Sequence, residues 1–347
     1  MPLPFAQLAK PAQTKRAAAI ARKAWRHWGR QLGPLELLND GFNTVFRADS
    51  DRGPIVLRVH RRDARGDNGL LVEFRWTRAL TESGFDVPTL LETREGLPFS
   101  THKSTDATAP LRVSAFAWRE GQPLSRSFGE GGLTQEHEVW PRIEALGQLA
   151  ARLHDHTDHY RDLDHLAPSL DRVAGFAATA LTRADLPPTL WPIYAKAREL
   201  CEVTFASKAD AKRQLCHADL HAGNILVTPS GALGLLDFDD CAFTWPEYDL
   251  GIAAFYLRGR SLGPGDEPPN YETFTRRLQY FERGYASIRP WRVPPPLLAT
   301  FIVARQLALL NLLATERGPA RRASFEAYCA SVEGRLRTWL DEGLWPS

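Results

Sequence analysis

Residues 215 to 240 read Leu-Cys-His-Ala-Asp-Leu-His-Ala-Gly-Asn-Ile-Leu-Val-Thr-Pro-Ser-Gly-Ala-Leu-Gly-Leu-Leu-Asp-Phe-Asp-Asp, and that order leaves few folds open. Two short apolar runs, Ile225 to Val227 and Leu233 to Leu236, flank a Pro229-Ser230-Gly231 turn, which is a hairpin signal. Asn224 stands at the entry of the hairpin and Asp237 at its exit, while His217-x-Asp219 lies on the loop that leads in. Three oxygen-bearing side chains are thereby tied to one loop and one hairpin.

Taken singly, Asp219, Asn224 and Asp237 would be read as turn caps and a strand end. Jointly they fit a phosphoryl-transfer centre. The γ-phosphoryl group leaves through a loose, highly charged transition state, so the protein must place an acceptor oxygen in line and neutralise charge. Asp219 suits the base that takes the acceptor's proton. Asn224 offers a neutral oxygen and Asp237 an anionic one, and magnesium is a hard cation that takes oxygen ligands. The spacing H-x-D-x-x-x-x-N followed by D-F-x is the layout of protein kinases.

The segment His217-Ala-Asp219-Leu-His221-Ala-Gly223-Asn224-Ile-Leu resembles the catalytic loop of the aminoglycoside phosphotransferase and choline kinase superfamily. That resemblance implies an α+β, protein-kinase-like two-lobed fold: a small antiparallel sheet lobe and a larger, mainly helical lobe. It implies ATP as phosphoryl donor, Asp219 as catalytic base, and Asn224 and Asp237 as Mg2+ ligands. His221 stands where eukaryotic protein kinases carry lysine. The run Asp237-Phe-Asp239-Asp240-Cys, followed by Glu247-Tyr-Asp249-Leu, is similar to the branch holding stress response kinase A and the kinase-fold homoserine kinases. By the same resemblance Asp249 anchors the catalytic loop.

At 347 residues, with 44% hydrophobic and 24% charged residues, the composition is globular. A net charge of +2 gives no global bias toward nucleic acid. Four cysteines without C-x-x-C spacing suggest a reduced, cytoplasmic protein. No run approaches the roughly 18 apolar residues of a membrane span, and no charged-then-apolar pattern at the start leads us to expect a leader. Residues 1 to 33 hold seven Lys or Arg and no acid, which superficially matches a transit peptide. A helix with Ile20, Ala24 and Trp28 on one face predicts instead that residues 1–32 pack on the domain. The same face weighs against a nucleic-acid role for Trp25 and Trp28.

Residues 33–117 are expected to form the nucleotide-binding lobe. Strands are expected over Leu35 to Leu38, Thr44 to Ala48, Ile55 to His60, Leu90 to Arg94 and Leu111 to Phe116, with a helix from Gly69 to Glu82 after the third. The turn Asn39-Asp-Gly41-Phe42-Asn43-Thr44 has one glycine, which fits a hairpin turn as well as a phosphate loop; the family context favours backbone amides of Gly41, Phe42, Asn43 and Thr44 near phosphate. Arg58 takes the place of the usual lysine in the third strand, and Glu73 is its natural ion-pair partner. Residues 113 to 121 read as a hinge, where Phe116 and Trp118 supply flat apolar surface for adenine.

Residues 118–347 are expected to form the helical lobe with the catalytic loop and acceptor site. Helices are expected over Ile143 to His154, Tyr271 to Tyr285, Leu297 to Thr315 and Phe325 to Trp339, with Pro294-Pro-Pro296 as a helix start and two or three further helices between 171 and 213. His154-Asp-His156-Thr-Asp-His159 suits a helix end better than a metal site. His217 and His221 lie on a loop and do not form a zinc pair. The absence of an Ala-Pro-Glu segment argues against control by loop phosphorylation.

The leading reading is transfer to a hydroxyl of a small molecule, of homoserine or amino-alcohol type, or to a protein Ser or Thr, by a monomer or homodimer. An aminoglycoside kinase or a nucleotide-binding pseudokinase is the alternative. From 251 to 347 there are thirteen Arg and Lys against nine Asp and Glu, which disfavours a polycationic acceptor.

Overall fold

The computed structural model describes residues 9–41, 43–60, 66–103, 110–128, 136–160, 162–163, 181–258, 271–315 and 319–343. It comprises two compact units, Met1–Gly121 and Gln122–Ser347.

In the first unit, helix α1 (Lys10–Ala24) opens with Pro11 in its first turn, where a missing N–H costs nothing. Its buried face is Ala17, Ala21 and Ala24, with Ile20 at the margin, and it continues into Trp25 and Trp28. These share one core with Phe46, Ile55, Leu57 and Val113. The indole N–H of Trp25 donates to Gln31 O at 2.8 Å and that of Trp28 to Leu91 O at 2.6 Å, so both rings are buried with their polar atoms satisfied. Burying a large apolar side chain stabilises by about 1.5–3 kcal/mol. The basic amino-terminal helix is therefore part of the sheet's core.

The sheet runs β1 (Glu36–Asp40), β2 (Asn43–Ser50), β3 (Gly53–His60), β6 (Leu111–Ala117) and β4 (Leu90–Leu91) in spatial order, all antiparallel. The sequence expectation of five strands needs correction, because β5 (Ser100–His102) also pairs with β6. Ser-Thr-His has no apolar alternation to betray a strand, and its inward residues are polar: buried Ser100 and His102 bond each other at 2.8 Å. Helix α2 (Gly66–Glu82) seats Leu70 and Phe74 on Phe116.

In the second unit, β9 (Ile225–Val227) pairs with β10 (Leu233–Leu235) and with β7 (Gln122–Pro123), while β8 (Gln214–Cys216) pairs with β11 (Ala242–Thr244). Around them lie α3 (Glu136–His159), α4 (Trp191–Ser207), α5 (Pro246–Leu257), α6 (Tyr271–Ala286), α7 (Pro295–Thr315) and α8 (Pro319–Glu342). Of the helices expected between 171 and 213, α4 lies within the described residues, and 171–180 fall outside them. Helices α3 and α6 cross at backbone contact: a Cβ on Gly147 would fall 2.1 Å from Phe281 O, and one on Gly284 1.9 Å from Glu144 O. Helix α5 is buried almost throughout and has no polar face, which is why periodicity does not reveal it.

Helix α7 corrects a second expectation, since Pro295–Ala314 is long and apolar enough to cross a membrane. Of its apolar stretch 67% is buried inside the protein, and Thr300, Gln306 and Asn311 are buried with it. It is packed as a core helix.

Candidate active site

Strand β8 delivers the chain into the loop at His217. The next residue, Ala218, has φ of 60°, a conformation that costs a non-glycine residue about 1–3 kcal/mol. Asp249 of α5 holds it there: the two carboxylate oxygens accept from His217 N at 2.9 Å and Ala218 N at 2.6 Å. Asp249 is fully buried and also meets His154 Nε2 at 3.3 Å, while His154 Nδ1 lies 3.0 Å from Tyr285 Oη. His154, Cys216 and Asp249 are close enough to suggest a metal cage. Burial, and then Asp249, push the Cys216 thiol well up, so it stays protonated and donates to Thr244 O. The cluster is a lock on the loop that carries Asp219.

We expect Asp249→Ala to leave two buried N–H groups without acceptors, at about 1–3 kcal/mol each. Thermal denaturation should show a midpoint lower by about 5 °C or more. An unchanged midpoint would mean that the loop does not depend on this carboxylate.

The imidazole of His217 is buried, and burial lowers its pKa against the pull of Asp249 and Asp219. The neutral ring donates from Nε2 to Leu236 O at 2.9 Å and receives the Asp219 N–H on Nδ1 at 3.3 Å. One side chain thus ties the loop to the exit of the hairpin. Asn224 closes the same circuit from the other end, because Leu236 N donates to its carbonyl at 2.7 Å.

Asp219 sits inside this frame with its side chain 15% exposed. Asn224 Nδ2 donates to its carbonyl at 3.0 Å and to Oδ2 at 2.9 Å. His221 caps the short 3₁₀ turn Ala222–Asn224 by accepting from Gly223 N on Nδ1, which leaves Nε2 to face Asp219 Oδ2 at 3.3 Å. Because the Asn224 amide nitrogen is committed to Asp219, its Oδ1 is the atom left to meet a cation. Asp237, at φ 57° in the left-handed region, follows directly on Leu236, and its carboxylate is exposed. A neutral and an anionic oxygen donor on neighbouring backbone suit a hard divalent ion.

Sequence reasoning missed Arg305 and Tyr256. Arg305 of α7 donates from Nη2 to Asp219 Oδ1, and also to Tyr256 Oη at 2.9 Å, with its Cζ 5.3 Å from the Tyr256 ring centroid. Tyr256 in turn packs at a tilt against His221, centroids 4.6 Å apart. A signal was present: Arg305 is the one charged residue between 293 and 315, and a lone charge on an apolar helix must find a partner. Burial would raise the Asp219 carboxyl, but Arg305 and then His221 overcome it and hold the pKa far below the ordinary range.

Removing the cation takes away the largest of the influences that oppose burial. We expect Arg305→Met to move the acidic limb of kcat/KM to higher pH, since Asp219 would then need less acid to protonate. A limb that does not move would show that Arg305 does not set the ionisation of Asp219.

The remaining expected residues lie in the first unit. Arg58 pairs with Glu73, both nearly buried, and its Cζ lies 5.1 Å from the Phe116 ring centroid. Phe116 is packed on Phe74, and its backbone pairs with β3 and β4. Gly41 follows β1 and Asn43 opens β2, paired with His60, and Phe42 lies outside the described residues. Thr44 is buried and gives its hydroxyl to Asp40 at 3.1 Å. The pairing Val45↔Arg58 sets this turn next to the Arg58–Glu73 pair. Trp118 lies at the far end of the sheet, bonded to Glu120 and covered by Arg47.

An antiparallel sheet with a buried Arg–Glu pair, and a helical unit that presents Asp219, Asn224 and Asp237 on a loop and hairpin, define a protein-kinase-like phosphotransferase. The model of the phosphotransferase enzyme family (APH) matches residues 34–291, and the chain belongs to that family. It is a kinase. The amicoumacin kinase of Bacillus subtilis (strain 168) is 23% identical over 274 residues, 77% of this chain and 75% of that protein. The microcompartment-associated aminopropanol kinase superposes with a TM-score of 0.73 at 22% identity, covering 94% of this chain and 98% of that one. The amicoumacin kinase hAmiN, in complex with AMP-PNP, Ca2+ and Ami, gives 0.71 at 18% identity, covering 93% and 96%.

Proposed function

We propose that the protein transfers the γ-phosphoryl group of Mg-ATP to a hydroxyl of a small amino-alcohol-type molecule. The observation that carries this reading is the setting of Asp219: ionised, largely buried, and fixed by Asn224, His221 and Arg305. A carboxylate so fixed can accept the acceptor's proton as the O–P bond forms. Magnesium, held by Asn224 and Asp237, would offset charge on the phosphate oxygens. Arg58, kept in place by Glu73, would fork onto the nucleotide phosphates, with amides of the Gly41–Thr44 turn beside it and Phe116 and Trp118 on the adenine side. Buried, unpaired cysteines suit a reducing cytoplasm.

The kinship in fold to an aminopropanol kinase supports a small acceptor over a protein Ser or Thr. The excess of Arg and Lys after residue 250 speaks against an aminoglycoside. A coupled ADP-release assay with 3-aminopropanol, homoserine, a Ser/Thr protein and kanamycin tests this. Turnover is expected with a small amino alcohol or hydroxy amino acid. Phosphorylation of kanamycin with kcat/KM above about 10⁴ M⁻¹s⁻¹ would refute the assignment.

A further inference from the structure

We propose that Tyr256 is a positioning residue for phosphoryl transfer: it holds Arg305 in one-ended contact with Asp219 and so keeps Asp219 Oδ1 open to the acceptor's hydroxyl. The proposal rests on Asp219 as the base and adds what keeps that base accessible.

The two oxygens of Asp219 are engaged unequally. Oδ2 accepts from Asn224 Nδ2 at 2.9 Å and faces His221 Nε2 at 3.3 Å, while Oδ1 meets Arg305 alone among the described residues. A carboxylate oxygen has room for two donors, so the vacancy lies on Oδ1. In the transfer, the acceptor's proton would pass to Oδ1 as the acceptor's oxygen bonds the γ-phosphorus and the bond from that phosphorus to the β-phosphate oxygen breaks, leaving ADP.

That vacancy has a competitor within the protein. Guanidinium and carboxylate groups frequently close as a fork, with two parallel N–H groups on two oxygens, and a fork here would fill the place of the hydroxyl. Arg305 does not close it. The nitrogen that donates to Oδ1, Nη2, also donates to Tyr256 Oη at 2.9 Å, and Nε is buried without a partner among the described residues. Both N–H bonds of Nη2 are thereby used, and the second fixes the plane of the guanidinium. Arginine has no lone pair, so the phenol oxygen can only accept from it. Burial raises the Tyr256 pKa against the pull of Arg305, which keeps the phenol neutral and leaves Asp219 as the anion that Arg305 meets.

The same side chain reaches the neighbour of the other oxygen. The Tyr256 ring lies against His221, whose Nδ1 accepts from Gly223 N at 2.9 Å. A Cβ on Gly223 would fall 2.7 Å from His221 Cε1, so glycine leaves the imidazole its place. Tyr256 thus meets the partner of each carboxylate oxygen, Arg305 on Oδ1 and His221 on Oδ2. From 250 to 257 it is the one polar side chain of α5. A phenylalanine would offer His221 the same ring; what the hydroxyl adds is the hold on Arg305.

Kinetics of the full chain with ATP, MgCl₂ and 3-aminopropanol or homoserine test this, together with a crystal structure of Tyr256→Phe. That variant should lose about tenfold or more in kcat while its KM for ATP stays within about twofold of the wild type. In an Arg305→Met background the same exchange should cost less than about twofold, because the oxygen then holds nothing. In the crystal, Arg305 should close on both oxygens of Asp219. If the wild type phosphorylates neither acceptor while the fork forms in Tyr256→Phe, the functional reading fails and the hold of Tyr256 on Arg305 stands. The proposal is overturned if Tyr256→Phe turns over like the wild type, if its loss is as large without Arg305, or if Arg305 keeps a single contact to Asp219 without the phenol.

Discussion

Asp219→Asn should lower kcat by about 10²-fold or more and leave nucleotide affinity nearly unchanged. The substitution keeps shape and an acceptor oxygen for Asn224 Nδ2, so the 3₁₀ turn and the hairpin entry should survive. What disappears is the group that takes the acceptor's proton, and with it the anionic partner of Arg305. The buried guanidinium would then be uncompensated, so a loss of thermal stability should accompany the loss of turnover. Calorimetric binding of AMP-PNP separates the two effects, because a folded but inactive variant retains the nucleotide. A kcat within a few-fold of the wild type would remove Asp219 from the chemistry.

Asp237→Ala should weaken Mg-ATP at least about tenfold more than Asn224→Ala, a difference of about 1.4 kcal/mol. The first deletes an exposed anionic oxygen and the second a neutral dipole. Asn224 does more than offer an oxygen, since its amide nitrogen also holds Asp219. Asn224→Ala should therefore lose kcat out of proportion to its effect on affinity. Titration of Mg-ATP into both variants, with and without EDTA, checks this. Equal affinities would mean that the cation lies elsewhere.

Much of this site is legible in the sequence because its residues are close neighbours along the chain. His217, Asp219, Asn224 and Asp237 fall within 21 consecutive residues, and the intervening apolar runs state the hairpin that aligns them. The Arg58–Glu73 pair is legible as a strand residue and a helix residue of opposite charge, and the buried contact joins them. Arg305 lies 86 positions from Asp219, and no local pattern connects an apolar helix to a loop that far away. Helix α5 is hidden for the opposite reason: buried on all sides, it has no polar phase for periodicity to detect. Strand β5 is three residues long, polar, and recognisable only by its neighbour β6. Local chemistry is readable from such a chain, and long-range packing is not.

The most direct test of the central claim is ³¹P NMR of the wild-type protein with ATP, MgCl₂ and homoserine or 3-aminopropanol. Growth of a phosphate monoester resonance in step with ADP, absent in Asp219→Asn, is the predicted result. ATP that stays intact, or that yields only inorganic phosphate with both acceptors, would contradict it.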